Sequence, residues 1–296
     1  MRQAMIIINP SSGKEEASQY VRYATRVLSD KDYSVTINET AKELDATRYS
    51  ITACEEGYDL VVSIGGDGTL HETINGLIDQ EHHPILGVVP LGTANDFARA
   101  LQIPLNPEIA IQTLASSNLK NVDIGRLNDR LFGNVVAVGS IAGSLSSVSS
   151  EDKTKLGSLA YLKEGLKQLT SPTAHPLVIH HDEQIWQGDS LLFLAVLTNS
   201  VGGFENLIPD AAVDDGLLHC FIILDLSIFN TITASISLLL GTLKDHKDVV
   251  YFTAHNVSVS SLETVRTNVD GEEGPTLPIT LSVLPRHIQV IVPEVD

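Results

Sequence analysis

The chain has 296 residues, 43% of them hydrophobic, and a formal net charge of −18 at pH 7. This length and apolar content predict a globular protein large enough for two domains, not a disordered chain. The acidic excess argues against a general nucleic-acid binder, because neutralising phosphates requires clustered Lys and Arg. No nucleic-acid partner is expected, and any contact with an anionic membrane is expected to be local.

The two cysteines and the apolar segments indicate the cellular setting. Cys54 and Cys220 lie far apart within apolar runs, a pattern typical of buried free thiols and not of a zinc site or redox pair. The apolar run at the start is too short for a signal peptide, and no window is long and apolar enough to span a bilayer. We therefore expect a cytoplasmic protein. The histidines show no metal-ligand spacing, so surface or turn positions are expected for them.

The first part of the chain alternates apolar, β-branched runs with segments of helical periodicity. Strands are predicted at residues 4–8, 34–38, 59–64 and 85–89, each followed by a loop and a helix-like segment. This alternation implies a doubly wound parallel sheet with right-handed crossovers. We assign residues 1–125 to this α/β domain.

The loops after these strands meet at one edge of the predicted sheet, because parallel strands end on the same side. They cover residues 9–14, Thr40, 65–69 and 92–96. Gly-Gly-Asp-Gly-Thr at 65–69 joins a strand to a helix, where glycine permits close backbone approach and helix amides face an anion. Each loop alone also fits ordinary turn chemistry, or a helix cap in the loop at 92–96. Together they predict a phosphate-binding edge for an adenine nucleotide, although no Walker loop or dinucleotide fingerprint is present.

After about residue 125 the pattern changes to short strand-like runs separated by turn signals. This predicts a mainly antiparallel, β-sandwich-like domain over residues 126–286, while the last strand, within 287–296, could return to the first domain. Asp182 and Glu183 suit a hairpin turn. The predicted strand runs are 131–138, 177–181, 190–199, 217–224, 249–252, 257–260, 279–283 and 288–292.

Two carboxylate-rich stretches in the second domain are candidates for chemistry. Residues 209–217 crowd three aspartates before a strand, which fits either a solvated acidic turn or an oxygen-rich Mg²⁺ site. Asp270 and Glu272 flank Gly271, which fits either a hairpin turn or a site of phosphoryl transfer. Transfer to an alcohol needs a base near the hydroxyl and Mg²⁺ near the phosphates, and both are carboxylate functions.

A lysine-rich segment interrupts the acidic average of the chain. Residues 151–169 combine several leucines with basic side chains, and Lys14 joins this patch if the domains fold as predicted. The segment fits either an amphipathic surface on an anionic membrane or a core-facing helix with a solvated face. The lysines of the segment are Lys153, Lys155, Lys163 and Lys167.

The successive motifs resemble those of the diacylglycerol kinase catalytic superfamily. That superfamily includes soluble bacterial diacylglycerol kinases and sphingoid-base kinases, and it is more distantly similar to NAD kinases. The motifs are Asn-Pro-x-Ser-Gly at 9–13, Gly-Gly-Asp-Gly-Thr at 65–69 with Glu72, Gly-Thr-x-Asn-Asp at 92–96, Val-Asp-Ile-Gly at 122–125, Pro-Asp-Ala-x-x-Asp-Asp-Gly at 209–216 and Asn-Val-Asp-Gly-Glu at 268–272. The resemblance runs nearly from end to end.

The resemblance implies transfer of the γ-phosphoryl of ATP to the hydroxyl of 1,2-diacylglycerol, which gives phosphatidic acid. It implies that Glu272 accepts the proton with Asp270 beside it, although either carboxylate could deprotonate the lipid. Asp67 would hold the catalytic magnesium, with Asp96 and Asp123 as a supporting acidic network.

The resemblance also implies two sets of binding residues. A magnesium ion would be held by Asp215 and by main-chain oxygens near Ala212 and Leu217. His71 stands where the family pattern leads us to expect Asn. The implied ATP contacts are Asn9, Pro10, Ser11, Ser12, Gly13, Thr40, Gly65, Gly66, Asp67, Gly68, Thr69, Leu70, His71 and Thr93.

Other functions stay open at this point. The protein could phosphorylate a sphingoid base or another lipid alcohol, or NAD, although the basic amphipathic segment disfavours NAD. A non-catalytic ATP-binding sensor is the alternative from another class. For the lipid kinase we expect transient, peripheral contact with the inner face of the membrane, with the oligomeric state open between monomer and homodimer.

Overall fold

A computed structural model describes residues 2–12, 17–139, 173–200, 208, 211–224 and 242–294. The chain forms two compact units, Met1–Val122 with Arg286–Asp296, and Asp123–Pro285. Within the described residues, no helix is both long and apolar enough to cross a lipid bilayer. Among the predicted contact residues, those outside the described ranges are Gly13, Lys14, Lys153, Lys155, Lys163 and Lys167.

The first unit is built on a parallel sheet whose strands alternate with helices. The strand order is β2-β1-β3-β4, and each neighbouring pair is parallel, as predicted. Every residue of β3 is buried, which explains its continuous apolar sequence. The elements are β1 (Arg2–Ile8), α1 (Ala17–Ser29), β2 (Tyr33–Glu39), α2 (Asp45–Glu55), β3 (Leu60–Gly65), α3 (Asp67–Leu77), β4 (Ile85–Pro90), α4 (Asp96–Ala100), α5 (Pro107–Thr113) and the first part of β5 (Leu119–Leu127).

The end of the chain belongs to this first unit. Val290 pairs in parallel with Leu86 of β4. Val292 N donates to Asn118 O at 3.0 Å, and the Asn118 side-chain amide donates to Pro293 O at 3.3 Å. The sheet of the first unit therefore includes backbone from the far end of the sequence.

The second unit consists of antiparallel strands in two sheets, which confirms the predicted fold class. One sheet has the order β12-β11-β10-β7-β14-β15, and in the other β16 pairs with β13, β13 with β8 and β8 with β9. The remaining elements are β6 (Arg130–Phe132), β7 (Val135–Gly139), β8 (His175–His181), β9 (Gln184–Ser190), β10 (Leu192–Val196), β11 (Leu218–Ile223), β12 (Val249–Ala254), β13 (Asn256–Ser260), β14 (Arg266–Val269), β15 (Glu272–Thr276) and β16 (Ile279–Ile291).

A single apolar cluster joins the two sheets of the second unit. Phe193 and Val138 contribute from one sheet, and Ile179, Val257 and Leu281 contribute from the other, all of them buried. Two antiparallel sheets that share one core in this way form a sandwich-like layer structure.

Several predicted strand boundaries are wrong, and the run at 190–199 is shorter in the structure, where β10 covers Leu192–Val196. The run at 131–138 is interrupted, because the backbone at Gly133 and Asn134 turns its amides toward a carboxylate described below. The runs at 279–283 and 288–292 form one strand, β16. Pro285 suggested a break, but Arg286 adopts a left-handed φ of 51°, and a strand can absorb proline at such an irregular position.

The predicted hairpin at Asp182 and the predicted state of the cysteines are both confirmed. His181 pairs with Gln184, so Asp182 and Glu183 form the two-residue loop between β8 and β9. Both cysteines are free and buried. Burial raises the pKa of the Cys54 thiol to about 11, and it also raises the pKa of the Cys220 thiol. Neither thiol has the thiolate character needed for reactivity at neutral pH.

Helices α2 and α3 pack so closely that a glycine is required between them. A Cβ atom at Gly76 would lie 2.6 Å from the Ser50 Cβ and would also overlap the Thr47 carbonyl oxygen. We expect Gly76→Ala to lower the free energy of unfolding by about 1–3 kcal/mol through overpacking. Urea denaturation measures this change. Glu55→Ala at an exposed position of α2 is the control, with an expected change within about 0.5 kcal/mol. Equal stability of Gly76→Ala and the native protein would contradict this packing.

Candidate active site

The turns that follow the parallel strands of the first unit are hydrogen-bonded to neighbouring strands at one edge of the sheet. Asn9 N donates to Ile64 O at 3.1 Å, and Thr40 N donates to Ile8 O at 2.8 Å. Leu91 N donates to Gly65 O at 2.7 Å. The predicted nucleotide loops are therefore neighbours at the carboxyl edge, where α/β sheets bind their ligands.

The turn after β1 is closed by Asn9. The Asn9 side-chain oxygen accepts a hydrogen bond from Ser11 N at 3.0 Å, and its main-chain oxygen accepts one from Ser12 N at 3.1 Å. This Asx turn fixes the backbone around Pro10. It presents a short polar loop beside β3, as an ATP-contacting segment requires.

Two glycine loops touch each other at this edge. A Cβ atom added to Gly92 would lie 2.9 Å from the Gly66 Cα, and one added to Gly66 would lie 3.3 Å from the Gly92 Cα. Asn95 links the loops further, because its side chain exchanges hydrogen bonds with the Gly92 main chain at 2.9 and 3.0 Å. Asn95 N donates to Asp67 Oδ2 at 3.0 Å. This contact fixes the Asp67 carboxylate at the start of α3.

The start of α3 has the features of an anion-binding site. Gly66 is the N-cap residue and makes no side-chain capping bond, and the predicted contacts at 68–71 all lie in the first turns of this helix. The helix N-terminus carries partial positive charge that favours a phosphate. A cavity at this edge is lined by residues that include Ser63, Gly65, Gly66, Asp67, Pro90 and Asn95.

Asn95 does not cap α4 with its side chain. It occupies the N-cap position with a left-handed φ of 51°, but it makes no side-chain capping bond, because its amide is used by Gly92. The plain helix-cap interpretation of this motif is therefore wrong for Asn95. Asp96, the first residue of α4, is buried, and Thr93 lies in the turn before it.

Glu72 has a structural contact. Its Oε2 accepts a hydrogen bond from Ala46 N at 3.2 Å, and its main-chain oxygen accepts one from the Thr47 hydroxyl at 2.9 Å. This motif residue therefore ties α3 to α2.

In the second unit, Asp270 and Gly271 form the loop of the hairpin between β14 and β15. Val269 pairs with Glu272, and both loop residues have positive φ, 50° at Asp270 and 93° at Gly271. This is the geometry of the tight turns that favour Asp-Gly. The Asn268 side-chain oxygen accepts a hydrogen bond from Gly271 N at 3.0 Å. The hairpin interpretation of the motif is correct as a description of its backbone.

The Asp270 carboxylate is held by a group of backbone amides. Oδ2 accepts from Gly133 N at 2.7 Å, and Oδ1 accepts from Asn134 N and Val135 N at 3.0 and 2.8 Å. Asp270 N also donates to Val135 O at 2.9 Å. A carboxylate bound in this way satisfies amides that would otherwise lack partners and fixes the loop next to Glu272.

Glu272 has a different environment. It begins β15 and is exposed to solvent. Its side chain can therefore reach an external hydroxyl, whereas the oxygens of Asp270 are used by the protein backbone. The two carboxylates of the motif are suited to different tasks.

The acidic loop before β11 is closed around Asp215. Oδ2 accepts from Ala212 N and from His219 Nε2, both at 3.0 Å, and Oδ1 accepts from Leu217 N at 3.0 Å. Burial by itself raises the pKa of the Asp215 carboxyl, but the hydrogen bonds from His219 and the amides outweigh burial and lower it. Asp215 is therefore an anion at neutral pH.

Two other side chains fix the backbone of this loop. The buried Asp123 carboxylate accepts from Gly216 N at 2.6 Å, and Asp123 N donates to Val213 O at 2.8 Å. His255 Nδ1 contacts Gly216 O at 3.0 Å. The loop is therefore anchored at its centre as well as at Asp215.

The loop suits magnesium by the chemistry of its donors. Within the described parts of the chain, no cluster of three or more His, Cys, Asp or Glu side chains is placed to hold a metal ion. The donors here are one carboxylate and main-chain oxygens near Ala212 and Leu217, and Mg²⁺ accepts such hard oxygen ligands while keeping several waters. Counting only the part of the chain that the structure describes, the Asp215 Oδ1 atom has one hydrogen-bond partner, which leaves a coordination direction on that oxygen.

Sequence reasoning missed the contact between His219 and Asp215. The expectation of surface or turn positions for the histidines is wrong for His219, which lies in β11 and is 5% exposed. A signal existed in the sequence, because His219 follows Asp215 by four residues at the start of a strand. The amides at 133–135 were also missed, since no local pattern relates them to Asp270.

Comparisons with known proteins agree with this architecture. Residues 3–127 match the family model described as the diacylglycerol kinase catalytic domain. Residues 134–292 match the model described as the YegS C-terminal NAD kinase beta sandwich-like domain. The two matches correspond to the parallel-sheet unit and the antiparallel unit.

Curated relatives match over nearly the whole chain. A diacylglycerol kinase of Staphylococcus epidermidis is 38% identical over 302 residues, covering 99% of this chain and 93% of the relative. A diacylglycerol kinase of Bacillus subtilis is 36% identical over 295 residues, covering 99% of this chain and 97% of the relative. A solved structure of a diacylglycerol kinase from Bacillus anthracis matches with a TM-score of 0.83 and 26% sequence identity. The match covers 98% of this chain and 97% of the solved chain.

These findings define a phosphotransferase with a parallel-sheet unit and an antiparallel unit. The chain belongs to the diacylglycerol kinase family. It is accordingly a lipid kinase whose co-substrate is ATP.

The contact between the glycine loops generates a prediction for ATP binding. Gly92→Ala places a Cβ against the Gly66 backbone and the Asn95 side-chain oxygen, so the loops must separate. We expect ATP affinity to fall at least about tenfold, since about 1.4 kcal/mol of lost contact has that effect. Calorimetric titration with ATP measures the change. Gly188→Ala, which places its Cβ beside the Trp186 ring in the second unit, should bind ATP normally. Normal binding by Gly92→Ala would contradict the contact.

The different environments of the two motif carboxylates generate a second prediction. Asp270→Asn turns an amide group toward backbone N–H donors, so we expect it to lower the free energy of unfolding by about 1–3 kcal/mol. Glu272→Gln is the matched isosteric change at an exposed site, where we expect less than about 0.5 kcal/mol. Thermal and urea unfolding of both variants measure the difference. Equal stability of the two variants would show that the amides do not depend on the Asp270 carboxylate.

Proposed function

We propose that this enzyme transfers the γ-phosphoryl group of ATP to the free hydroxyl of 1,2-diacylglycerol, giving phosphatidic acid and ADP. The observation that carries the proposal is the similarity to curated diacylglycerol kinases over 99% of the chain. The hairpin at Asp270 and Glu272 supports it, because it offers an exposed carboxylate on a rigid turn. The first unit would bind ATP, and the second would supply the residues that act on the lipid.

The ATP phosphates would bind at the start of α3, where the glycine loops bring backbone amides to the surface. The turn at 9–12 and Thr40 would contact the rest of the nucleotide from the neighbouring strands. Phosphoryl transfer depends mainly on positioning and on charge stabilisation, so a rigid amide-lined edge is suited to it. The close fit of Gly66 against Gly92 supports this role, because it fixes the phosphate-binding turn.

Glu272 would act as the general base. As the lipid hydroxyl oxygen forms a bond to the γ-phosphorus, its proton passes to the Glu272 carboxylate and the bond from phosphorus to the β,γ-bridging oxygen breaks. ADP leaves with the electron pair of that bond. Asp270 would position this loop, because its oxygens already accept three backbone N–H bonds. General-base assistance typically contributes about 10²- to 10⁴-fold.

Magnesium would support the reaction by offsetting negative charge on the phosphates. Asp67 would hold the ion that accompanies ATP, with Asp96 and Asp123 as supporting carboxylates. A second ion would bind at Asp215 and the main-chain oxygens near Ala212 and Leu217, where it would stabilise the acidic loop.

The enzyme would bind the membrane surface that contains its lipid substrate through a patch of basic residues. Its residues lie outside the described ranges, and the support for it is the local excess of lysine in an acidic chain. They are Lys14, Lys153, Lys155, Lys163 and Lys167. The interaction would be peripheral and transient, at the inner face of the membrane.

The test is transfer of labelled γ-phosphate from ATP in the presence of Mg²⁺. Diacylglycerol, sphingosine and NAD are presented separately, with the lipids in mixed micelles that contain anionic phospholipid. We expect labelled phosphatidic acid and no other major product. We expect Glu272→Gln to reduce the rate of phosphatidic acid formation by about 10²- to 10⁴-fold. We expect Asp67→Asn to abolish transfer. Preferred labelling of sphingosine or NAD, or full activity of Glu272→Gln, would contradict the proposal.

A further inference from the structure

A chain of three hydrogen-bonded side chains ends at the acidic loop of the second unit. The Tyr251 hydroxyl lies 2.7 Å from His219 Nδ1, and His219 Nε2 lies 3.0 Å from Asp215 Oδ2. The His219 side chain is 6% exposed and that of Asp215 is 22% exposed. The proposed phosphoryl transfer uses neither Tyr251 nor His219, so their contacts need another explanation.

The direction of the hydrogen bond to Asp215 follows from the chemistry of the groups. A carboxylate oxygen accepts hydrogen bonds, so the contact between His219 Nε2 and Asp215 Oδ2 is donated by the Nε2–H group. The Tyr251 hydroxyl, which can donate or accept, is the hydrogen-bond partner of the other ring nitrogen, Nδ1. The chain therefore runs from Tyr251 through both ring nitrogens of His219 to Asp215.

Strand pairing holds His219 and Tyr251 in place. β11 pairs with β12, and Phe221 lies opposite Tyr251 in the antiparallel register. The Phe221 and Tyr251 rings are packed with centroids 5.1 Å apart. The His219 and Tyr251 rings lie 6.2 Å apart with an interplanar angle of 20°. The side chains of His219 and Tyr251 thus project from paired strands, and His219 contacts the acidic loop through Asp215.

The contact with His219 leaves the two Asp215 oxygens in different states. Among the described residues, Oδ2 has two partners, Ala212 N and His219 Nε2, whereas Oδ1 has one, Leu217 N. Each carboxylate oxygen accepts about two hydrogen bonds or ligands. His219 therefore restricts rotation of the carboxylate and leaves Oδ1 as the oxygen with room for a cation.

We propose that His219 and Tyr251 are positioning residues that orient Asp215 Oδ1 toward a magnesium ion bound by the loop at 212–217. This inference rests on the magnesium site proposed above. Groups that hydrogen-bond to a metal ligand fix its orientation, and changing them typically weakens metal binding by about 10- to 100-fold. A chain that only stabilised the fold would lower the melting temperature without changing the response to magnesium.

The experiment measures the melting temperature of the full chain, without nucleotide, as MgCl₂ is added at constant ionic strength. The midpoint of the rise gives an apparent magnesium affinity for each variant. We expect His219→Leu to weaken this affinity by about tenfold or more. Tyr251→Phe should weaken it less, because His219 still reaches Asp215. His219→Gln retains a donor at the position of Nε2 and should restore affinity close to that of the native protein.

The controls separate positioning from general stability. Tyr58→Phe removes another tyrosine hydroxyl, which contacts the Thr36 hydroxyl at 3.0 Å in the first unit, and should leave magnesium affinity unchanged. Asp215→Asn should abolish the rise in melting temperature. Unchanged magnesium affinity in both His219→Leu and Tyr251→Phe would overturn the proposal.

The proposed function and this inference fail in different ways. If magnesium does not raise the melting temperature of the native protein, or raises it equally in Asp215→Asn, the loop does not bind the ion and the inference is overturned. The lipid kinase proposal would still stand if Mg²⁺ and ATP support labelling of diacylglycerol. If labelling fails but magnesium affinity falls in His219→Leu, the positioning role is supported and the substrate assignment is wrong.

Discussion

The close approach of Gly66 and Gly92 is the constraint on which the nucleotide-binding edge depends. Parallel pairing of β3 and β4 brings the two loops side by side, and the lack of a Cβ at either glycine lets their backbones touch. Asn95 then bonds to Gly92 and to the Asp67 carboxylate. The same contact thereby fixes the start of α3, where we propose that backbone amides bind the ATP phosphates, and it fixes the Asp67 carboxylate beside them.

The second unit uses backbone amides in a comparable way. Asp270 satisfies three amides at the break between β6 and β7, so this carboxylate supports the hairpin, while Glu272 is exposed and is the proposed general base. At the acidic loop, Asp123 binds the Gly216 amide and Asp215 binds those of Ala212 and Leu217. Buried or partly buried carboxylates therefore shape both polar loops, which explains why the motifs contain more acids than the reaction needs.

The sequence was sufficient to predict the class of each unit and the edge where the nucleotide loops meet. Both follow from periodicity, since alternating strands and helices force parallel pairing and place the loops after the strands together. It was not sufficient to relate Asp270 to Gly133, because their contact joins residues more than a hundred positions apart. The burial of His219 was not predicted, because it depends on the pairing of β11 with β12. The single strand β16 was predicted as two strands, because a proline inside a strand resembles a break. The hydrophobic pattern of the sequence predicts helices and strands from their periodicity, but it does not predict long-range contacts or irregular backbone positions.

Hydrogen exchange of backbone amides with and without ATP is the direct test of ATP binding at the carboxyl edge of the parallel sheet. We predict that ATP slows exchange at residues 66–70, 92–95 and 11–12. Peptides from the buried strands β1 and β3 are the internal reference and should not change. Protection elsewhere, with unchanged exchange at both glycine loops, would contradict the account.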